Sequence, residues 1–302
     1  MWKPTILFLV LTALLSSIFY IIINITGTLT LWVFGLMWMP ALAAVLTCVI
    51  IRRPLRFLGG SRWSTKYGVI AYIVPILYCL AMFGFAWIFG FGGVPNVDNV
   101  HATTTALGVD GLPNSAQVVL FIVVLALVGL VSEFGPALGE EIGWRGFLVP
   151  ELYRNMGFIG TSIVSGLVLA FWHFPVLGVA YQSLDVPAWF WVPTFGVGAI
   201  GISFIAAWLR LKSGSLWPAV ILHASANLFQ QAIFFALTIP NEQTNYVAGD
   251  VGVGISVVLV IAAIITIVLR KQLPSREDFD HINGVPHNLD PIPITRAEPA
   301  VR

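Results

Sequence analysis

Apolar residues are grouped along this chain into about eight stretches, each close to the ~20 residues that a helix needs to cross a bilayer. Helices are expected because a lipid-exposed backbone must satisfy its own hydrogen bonds, and the alternating ten-residue strands of a membrane barrel are missing from the pattern. The sequence therefore predicts an all-α, polytopic membrane helix bundle. The predicted spans are 5–25, 29–51, 67–92, 115–132, 157–180, 191–209, 216–239 and 251–269.

Composition supports the same class of protein. Apolar residues make up 58% of the 302 residues and charged residues only 10%. The formal net charge is +1, and no basic cluster is interleaved with aromatic residues, so we expect no nucleic-acid partner. Cys48 and Cys79 both lie within apolar spans, where they are expected to be buried small hydrophobes and not a disulfide.

The basic residues predict the orientation. All 15 Lys and Arg fall on one side of the eight-span topology. The connections on the other side contain Asp and Glu but no Lys or Arg. The positive-inside rule then makes both termini cytoplasmic, and the short loops favour a prokaryotic plasma membrane. We expect a membrane domain over 1–272 with its chemistry at about 115–239. The segment 273–302, rich in proline and charge, predicts a disordered cytoplasmic tail.

A pair of glutamates lies between the fourth and fifth predicted spans, in the sequence Gly-Glu-Glu-Ile-Gly-Trp-Arg-Gly. On a helix, Glu141 and Arg145 are four residues apart and share a face, which predicts an ion pair. Glu140 points about 100° away from its neighbour, where it has no such partner and little water. Such a carboxylate is a candidate general base. The alternative is a helix at the membrane surface with an ordinary ion pair.

Histidines within the spans form the second candidate group. His173 lies in an aromatic segment, and His223 and Asn227 are four residues apart on one helix face that Gln230 and Gln231 extend. Ionisable groups in a membrane favour a functional interpretation, and a His with an Asn could bind an oxyanion. Hydrogen bonds between helices are the alternative.

The two histidines lie at different nominal depths in their spans. If they act together, a kink, a tilt or a re-entrant segment must bring them to one level. Pro150 and Pro175 are the candidate positions for a kink.

These residues resemble the motifs of the CPBP intramembrane proteases, which include the CAAX prenyl endopeptidases of the Rce1 type. The resemblance covers about 130–231. Leu169 departs from it, because the family often has Phe four residues before the histidine of the second motif. The shared pattern is Glu140-Glu141-x-x-x-Arg145, then His173 after aromatic residues, then His223-x-x-x-Asn227.

The resemblance implies an endopeptidase in which Glu140 and His173 activate water for attack on a peptide carbonyl. His223 and Asn227 would stabilise the oxyanion, and the Glu141–Arg145 pair would give structural support to the site. No cofactor is implied. The implied partners are the lipid bilayer and a peptide or protein substrate, prenylated or otherwise bound to the membrane.

Two other functions fit the same residues. Glu140, His173 and His223 could be the three ligands of a catalytic zinc, which would make the protein an intramembrane metalloprotease. A non-catalytic immunity or scaffold protein could use the polar residues only to fix helix packing. A transporter fits less well, because the ionisable groups gather toward the cytoplasmic half and do not line a path through the bilayer.

Overall fold

The computed structural model describes residues 2–109, 111–183 and 186–283. Helices dominate, and the described residues contain no strand beyond the isolated bridge between Gly93 and Ile239. Short π-helical segments at 125–129, 142–148 and 228–235 continue α6, α7 and α10. The α-helices are α1 Lys3–Thr26, α2 Thr30–Met37, α3 Met39–Ile50, α4 Thr65–Ile88, α5 Val97–Ala106, α6 Asn114–Val124, α7 Leu130–Glu141, α8 Val149–Ala180, α9 Ala188–Ser213, α10 Trp217–Asn227, α11 Thr244–Val247, α12 Val253–Leu269 and α13 Arg276–Asn283.

Six helical runs among the described residues are long and apolar enough to cross a membrane, and the protein is an integral membrane protein with the predicted helix-bundle fold. The number of runs is smaller than the eight predicted spans for two reasons. The fourth and fifth predicted spans lie in one run of 67 residues, 114–180. The seventh is not among the six runs, because polar residues such as His223, Asn227 and Gln230 lower the hydropathy of α10 and the segment after it.

The outer faces of the long helices are apolar and exposed. α1 shows this most regularly, with exposed side chains repeating at about one per helical turn. An apolar stripe of this length on a protein surface fits contact with lipid hydrocarbon and not with water. The stripe consists of Ile6, Val10, Leu14, Ile18, Ile21 and Ile25.

Glycines allow close packing at the centre of the bundle. A Cβ atom on Gly166 of α8 would lie 2.5 Å from the Ile200 Cα of α9. A Cβ atom on Gly201 of α9 would lie 2.7 Å from the Leu259 Cβ of α12. Small residues at these crossings bring helix backbones together, as is usual in membrane bundles. α8, α9 and α12 therefore form a tight layer behind the candidate site.

Two regions outside the predicted spans contain helices. The connection 93–114 contains the helix α5, and its Gly93 pairs with Ile239 through backbone hydrogen bonds of 2.9 and 2.8 Å. The tail predicted to be disordered from 273 begins with the helix α13, whose buried Phe279 ring lies 5.8 Å from the ring of Tyr153. This contact packs α13 against α8. Residues 284–302 lie outside the described residues.

Both cysteines are buried and free, as expected from their positions in apolar spans.

Candidate active site

One cavity of about 490 Å³ connects the motifs that the sequence analysis singled out. The motif residues on its walls come from three separate parts of the chain: the end of α7 with the π-helical segment after it, α8, and α10. Glu141 is the last residue of α7 and Asn227 the last of α10, and a π-helical segment follows each. Such segments are frequent at functional sites. All six candidate residues line the cavity: Glu140, Glu141, Arg145, His173, His223 and Asn227.

The ion pair predicted from the four-residue spacing is present. The Arg145 guanidinium donates to Glu141 Oε1 at 2.6 Å, and both side chains are almost fully buried. The same guanidinium donates to Ser203 Oγ at 3.2 Å, which ties the pair to α9. His223 Nδ1 lies 3.0 Å from Glu141 Oε1, so the carboxylate also fixes an imidazole. Glu141 is thus the centre of a structural network.

Glu140 has different surroundings. Its carboxylate is 1% exposed and accepts a hydrogen bond from Trp144 Nε1 at 3.2 Å. Its Oε2 lies 3.8 Å from His173 Nε2, which is too long for a direct hydrogen bond but close enough for both atoms to act on one reacting molecule. The Trp144 contact was not predicted, although Trp144 stands four residues after Glu140, one helical turn away.

His173 is oriented by its own helix. Its Nδ1 lies 2.9 Å from the Leu169 carbonyl oxygen, which can only accept, so Nδ1 carries the proton and Nε2 is directed toward Glu140. Leu169 is the position that departs from the family pattern. It contributes to the site through its backbone oxygen, so the missing aromatic ring leaves this contact in place.

His223 and Asn227 occupy successive turns of α10 along the cavity wall. Because His223 donates from Nδ1 to a carboxylate, its Nε2 can donate to a substrate only when the ring carries both protons. In the described part of the chain, the Asn227 amide has no hydrogen-bond partner. Its NH₂ group is therefore available to donate a hydrogen bond to a ligand.

The first helix supports the histidine of α8, a contribution that the sequence analysis missed. Trp172 donates from Nε1 to Ser16 Oγ at 2.8 Å, and the Tyr20 hydroxyl donates to the Trp172 carbonyl oxygen. The buried Arg210 of α9 donates from Nε to the Arg145 carbonyl oxygen at 3.0 Å. Contacts between residues so distant in sequence leave no spacing signal that could have revealed them.

The polar stripe predicted on α10 continues to the far end of the cavity. Gln230 and Gln231 donate to the two carboxylate oxygens of Asp250 at 2.5 and 2.9 Å. The Tyr181 hydroxyl donates to Asp250 at 3.4 Å. Burial raises the pKa of the Asp250 carboxyl, and the hydrogen bonds from the two glutamines and the tyrosine oppose this rise.

The histidines reach adjacent carboxylates despite their different predicted depths. The chain changes direction at Gly157, whose φ of 74° and ψ of −178° interrupt α8. A φ in this region favours glycine. Pro150 and Pro175, the candidate positions for a kink, both lie within helical turns of α8. The predicted position of the kink was wrong, because a glycine with positive φ and not a proline interrupts this helix.

The residues that the structure describes include no group of three or more His, Cys, Asp or Glu side chains arranged to hold a metal ion. Whether the reaction uses zinc is thus a matter for experiment.

Comparison with known proteins identifies the same region. Residues 113–229 match the family described as type II CAAX prenyl endopeptidase Rce1-like. A protein of Methanococcus maripaludis named CAAX prenyl protease 2 is 31% identical over 118 residues, which is 37% of this chain and 41% of that relative. The chain thus matches less than half the length of this relative. The matched region contains every motif residue that lines the cavity. The part of the chain that carries the motifs is therefore similar to the Rce1-like group of CAAX prenyl endopeptidases.

Proposed function

We propose that this protein is an intramembrane endopeptidase of the CAAX-protease type, in which Glu140 and His173 activate a water molecule. The observation that carries the proposal is the position of the Glu140 carboxylate and the His173 imidazole, 3.8 Å apart in a cavity that contains the other motif residues. A carboxylate and an imidazole at this separation can both contact one water.

Glu140 is the better general base of the two glutamates. Glu141 is bound by Arg145 at 2.6 Å and by His223 at 3.0 Å, so its charge is already neutralised by a cation. Glu140 accepts only the weaker indole hydrogen bond of Trp144 and has no Lys or Arg partner among the described residues. Its carboxylate is therefore free to take a proton.

The proposed reaction begins with a water molecule between Glu140 and His173. Glu140 takes one proton from the water as its oxygen attacks the peptide carbonyl, giving a tetrahedral oxyanion. Asn227 and doubly protonated His223 donate hydrogen bonds to this oxyanion. When the C–N bond breaks, the proton on Glu140 passes to the leaving nitrogen, which gives a carboxylic acid and an amine. The acid then gives its proton to the amine, and the final products are a carboxylate and an ammonium group.

A prenylated CaaX peptide is the proposed substrate. The relative from M. maripaludis bears the name CAAX prenyl protease 2, and this chain is 31% identical to it over 118 residues. Beyond the polar residues, the cavity wall is aliphatic and aromatic, which suits an apolar peptide tail and a lipid group. The apolar wall includes Leu29, Val33, Met37, Val176, Leu177 and Phe195.

Cleavage of synthetic peptides by the purified protein tests the proposal. The substrates are a quenched fluorescent CaaX peptide with an S-farnesyl cysteine and the same peptide without the lipid. We expect the wild type to cleave the farnesylated peptide, and Glu140→Gln to lower kcat by about 10²–10⁴-fold, the usual contribution of general acid–base catalysis. Glu242→Gln is the matched control, because it removes the same charge from an exposed residue outside the cavity.

The same assay separates the competing functions. Equal cleavage by wild type and Glu140→Gln would refute the assigned base. Loss of activity with a chelator, restored by zinc, would support the metalloprotease. A non-catalytic immunity or scaffold protein would be supported by two results together. The purified wild type would cleave neither peptide, and Glu140→Gln would keep the biological role of the protein in cells.

A further inference from the structure

Four carboxylates line the cavity, and three of them have partners that account for their presence. Glu141 is paired with Arg145, Glu140 lies beside Trp144 and His173, and Asp250 accepts hydrogen bonds from two glutamines and a tyrosine. Glu133 is the fourth. Over the described ranges it has neither a hydrogen bond nor an ion pair, and the proposed mechanism gives it no role.

Glu133 lies on the same helix face as the proposed base. It stands seven residues before Glu140 in α7, and seven residues make almost two full turns. Glu133, Pro136 and Glu140 form an i, i+3, i+7 stripe, and all three line the cavity. The rise of the helix places the Glu133 backbone about 10 Å from that of Glu140.

Glu133 is partly exposed at the wall of a mostly apolar cavity, and an ionisable group in a membrane-protein cavity marks a functional site. The single guanidinium of the cavity wall belongs to Arg145 and is already engaged with Glu141. Among the residues that the structure describes, no lysine lines the cavity. The described cavity wall thus offers Glu133 no cation, and a ligand can supply one.

We propose that Glu133 is a specificity-determining residue that binds a lysine or arginine side chain of the substrate. This inference rests on the proposed function, because it assigns the peptide to the same cavity. An extended peptide advances about 3.3 Å per residue, so 10 Å corresponds to about three residues. The preferred basic residue lies about two to four residues from the scissile bond.

The test uses farnesylated CaaX peptides in which a single lysine is moved one position at a time, each paired with a peptide carrying norleucine at that position. Norleucine keeps the four-carbon chain and lacks the charge. Cleavage is measured with the wild type, Glu133→Gln and the control Glu242→Gln. Binding of the same peptides, labelled with a fluorophore, is measured by anisotropy with Glu140→Gln and with Glu140→Gln combined with Glu133→Gln.

We expect lysine at one or two adjacent positions to lower KM and Kd by about 10- to 100-fold relative to norleucine, the usual range for a charge-assisted hydrogen bond. Glu133→Gln should abolish this preference, so that lysine and norleucine peptides have the same KM and Kd, whereas Glu242→Gln should keep it. Glu133→Lys should move the preference to peptides with glutamate at the same position.

Equal KM and Kd of the wild type for lysine and norleucine peptides would overturn the inference. This holds even if both peptides are cleaved and the proposed function stands. A uniform loss of activity in Glu133→Gln with every peptide would also overturn it, because that result indicates a structural role. Lysine-selective binding that depends on Glu133, without any cleavage by the wild type, would support the inference and refute the proposed function.

Discussion

Replacing Arg145 by methionine removes the cation from the buried network and keeps most of the side-chain volume. Glu141 is buried, so after this change its carboxylate would have no water around it and only His223 as a partner. Breaking one side of a buried ion pair costs about 3–5 kcal/mol. The hydrogen bond to Ser203 is lost as well. We expect the free energy of unfolding of Arg145→Met to fall by about 3–5 kcal/mol.

The double variant Arg145→Met with Glu141→Gln separates the ion pair from the packing. With both charges gone, no uncompensated carboxylate remains, and neutral replacements of a buried pair are often close to neutral in stability. We expect the double variant to lie within about 1–2 kcal/mol of the wild type. It should nevertheless be less active than the wild type, because His223 loses its charged anchor.

Unfolding in mixed detergent micelles with increasing SDS, followed by tryptophan fluorescence, gives these free energies. Arg154→Met is the matched control: its guanidinium lies 3.3 Å from Glu151 and its side chain is 27% exposed. We expect this control to change stability by less than about 1 kcal/mol, because Arg154 is partly exposed and Glu151 keeps its ion pair with Arg53. An Arg145→Met protein as stable as Arg154→Met, with full activity, would refute the supporting role of the pair.

Three further predictions concern the reacting groups. Trp144→Phe should lower kcat about tenfold with little change in KM, because it deletes the hydrogen bond to Glu140 but keeps an aromatic ring; an unchanged kcat would exclude a positioning role. Asn227→Ala should lower kcat by about 10²–10³-fold, the usual effect of losing one oxyanion donor, and a rise in KM alone would contradict this role. Prolonged dialysis against a chelator should leave activity intact, as measured in the peptide assay with and without added zinc.

The residues of the site were predictable where their positions follow helix periodicity. The Glu141–Arg145 pair and the alignment of His223 with Asn227 both come from the four-residue repeat, and the structure has both on the cavity wall. The convergence of α7, α8 and α10 could be inferred only from the cost of placing ionisable groups in a membrane. That argument names the residues but gives no distances.

Other features depend on tertiary contacts that the sequence does not reveal. The hydrogen bonds of Ser16 with Trp172 and of Arg210 with Arg145 join residues far apart along the chain. The bend at Gly157 requires a left-handed φ, which many glycines of the chain never adopt. Order in α13 depends on where Phe279 packs, and composition alone predicted a disordered tail.

Hydrolysis in H₂¹⁸O tests the central claim, that Glu140 directs a water molecule to the peptide carbonyl. The purified protein is incubated with the farnesylated peptide in labelled water, and the masses of both fragments are measured by mass spectrometry. We predict one ¹⁸O atom in the new carboxylate for the wild type and Glu242→Gln, and fragment formation slower by about 10²–10⁴-fold for folded Glu140→Gln. Labelled fragment formed by Glu140→Gln at the wild-type rate would contradict the account.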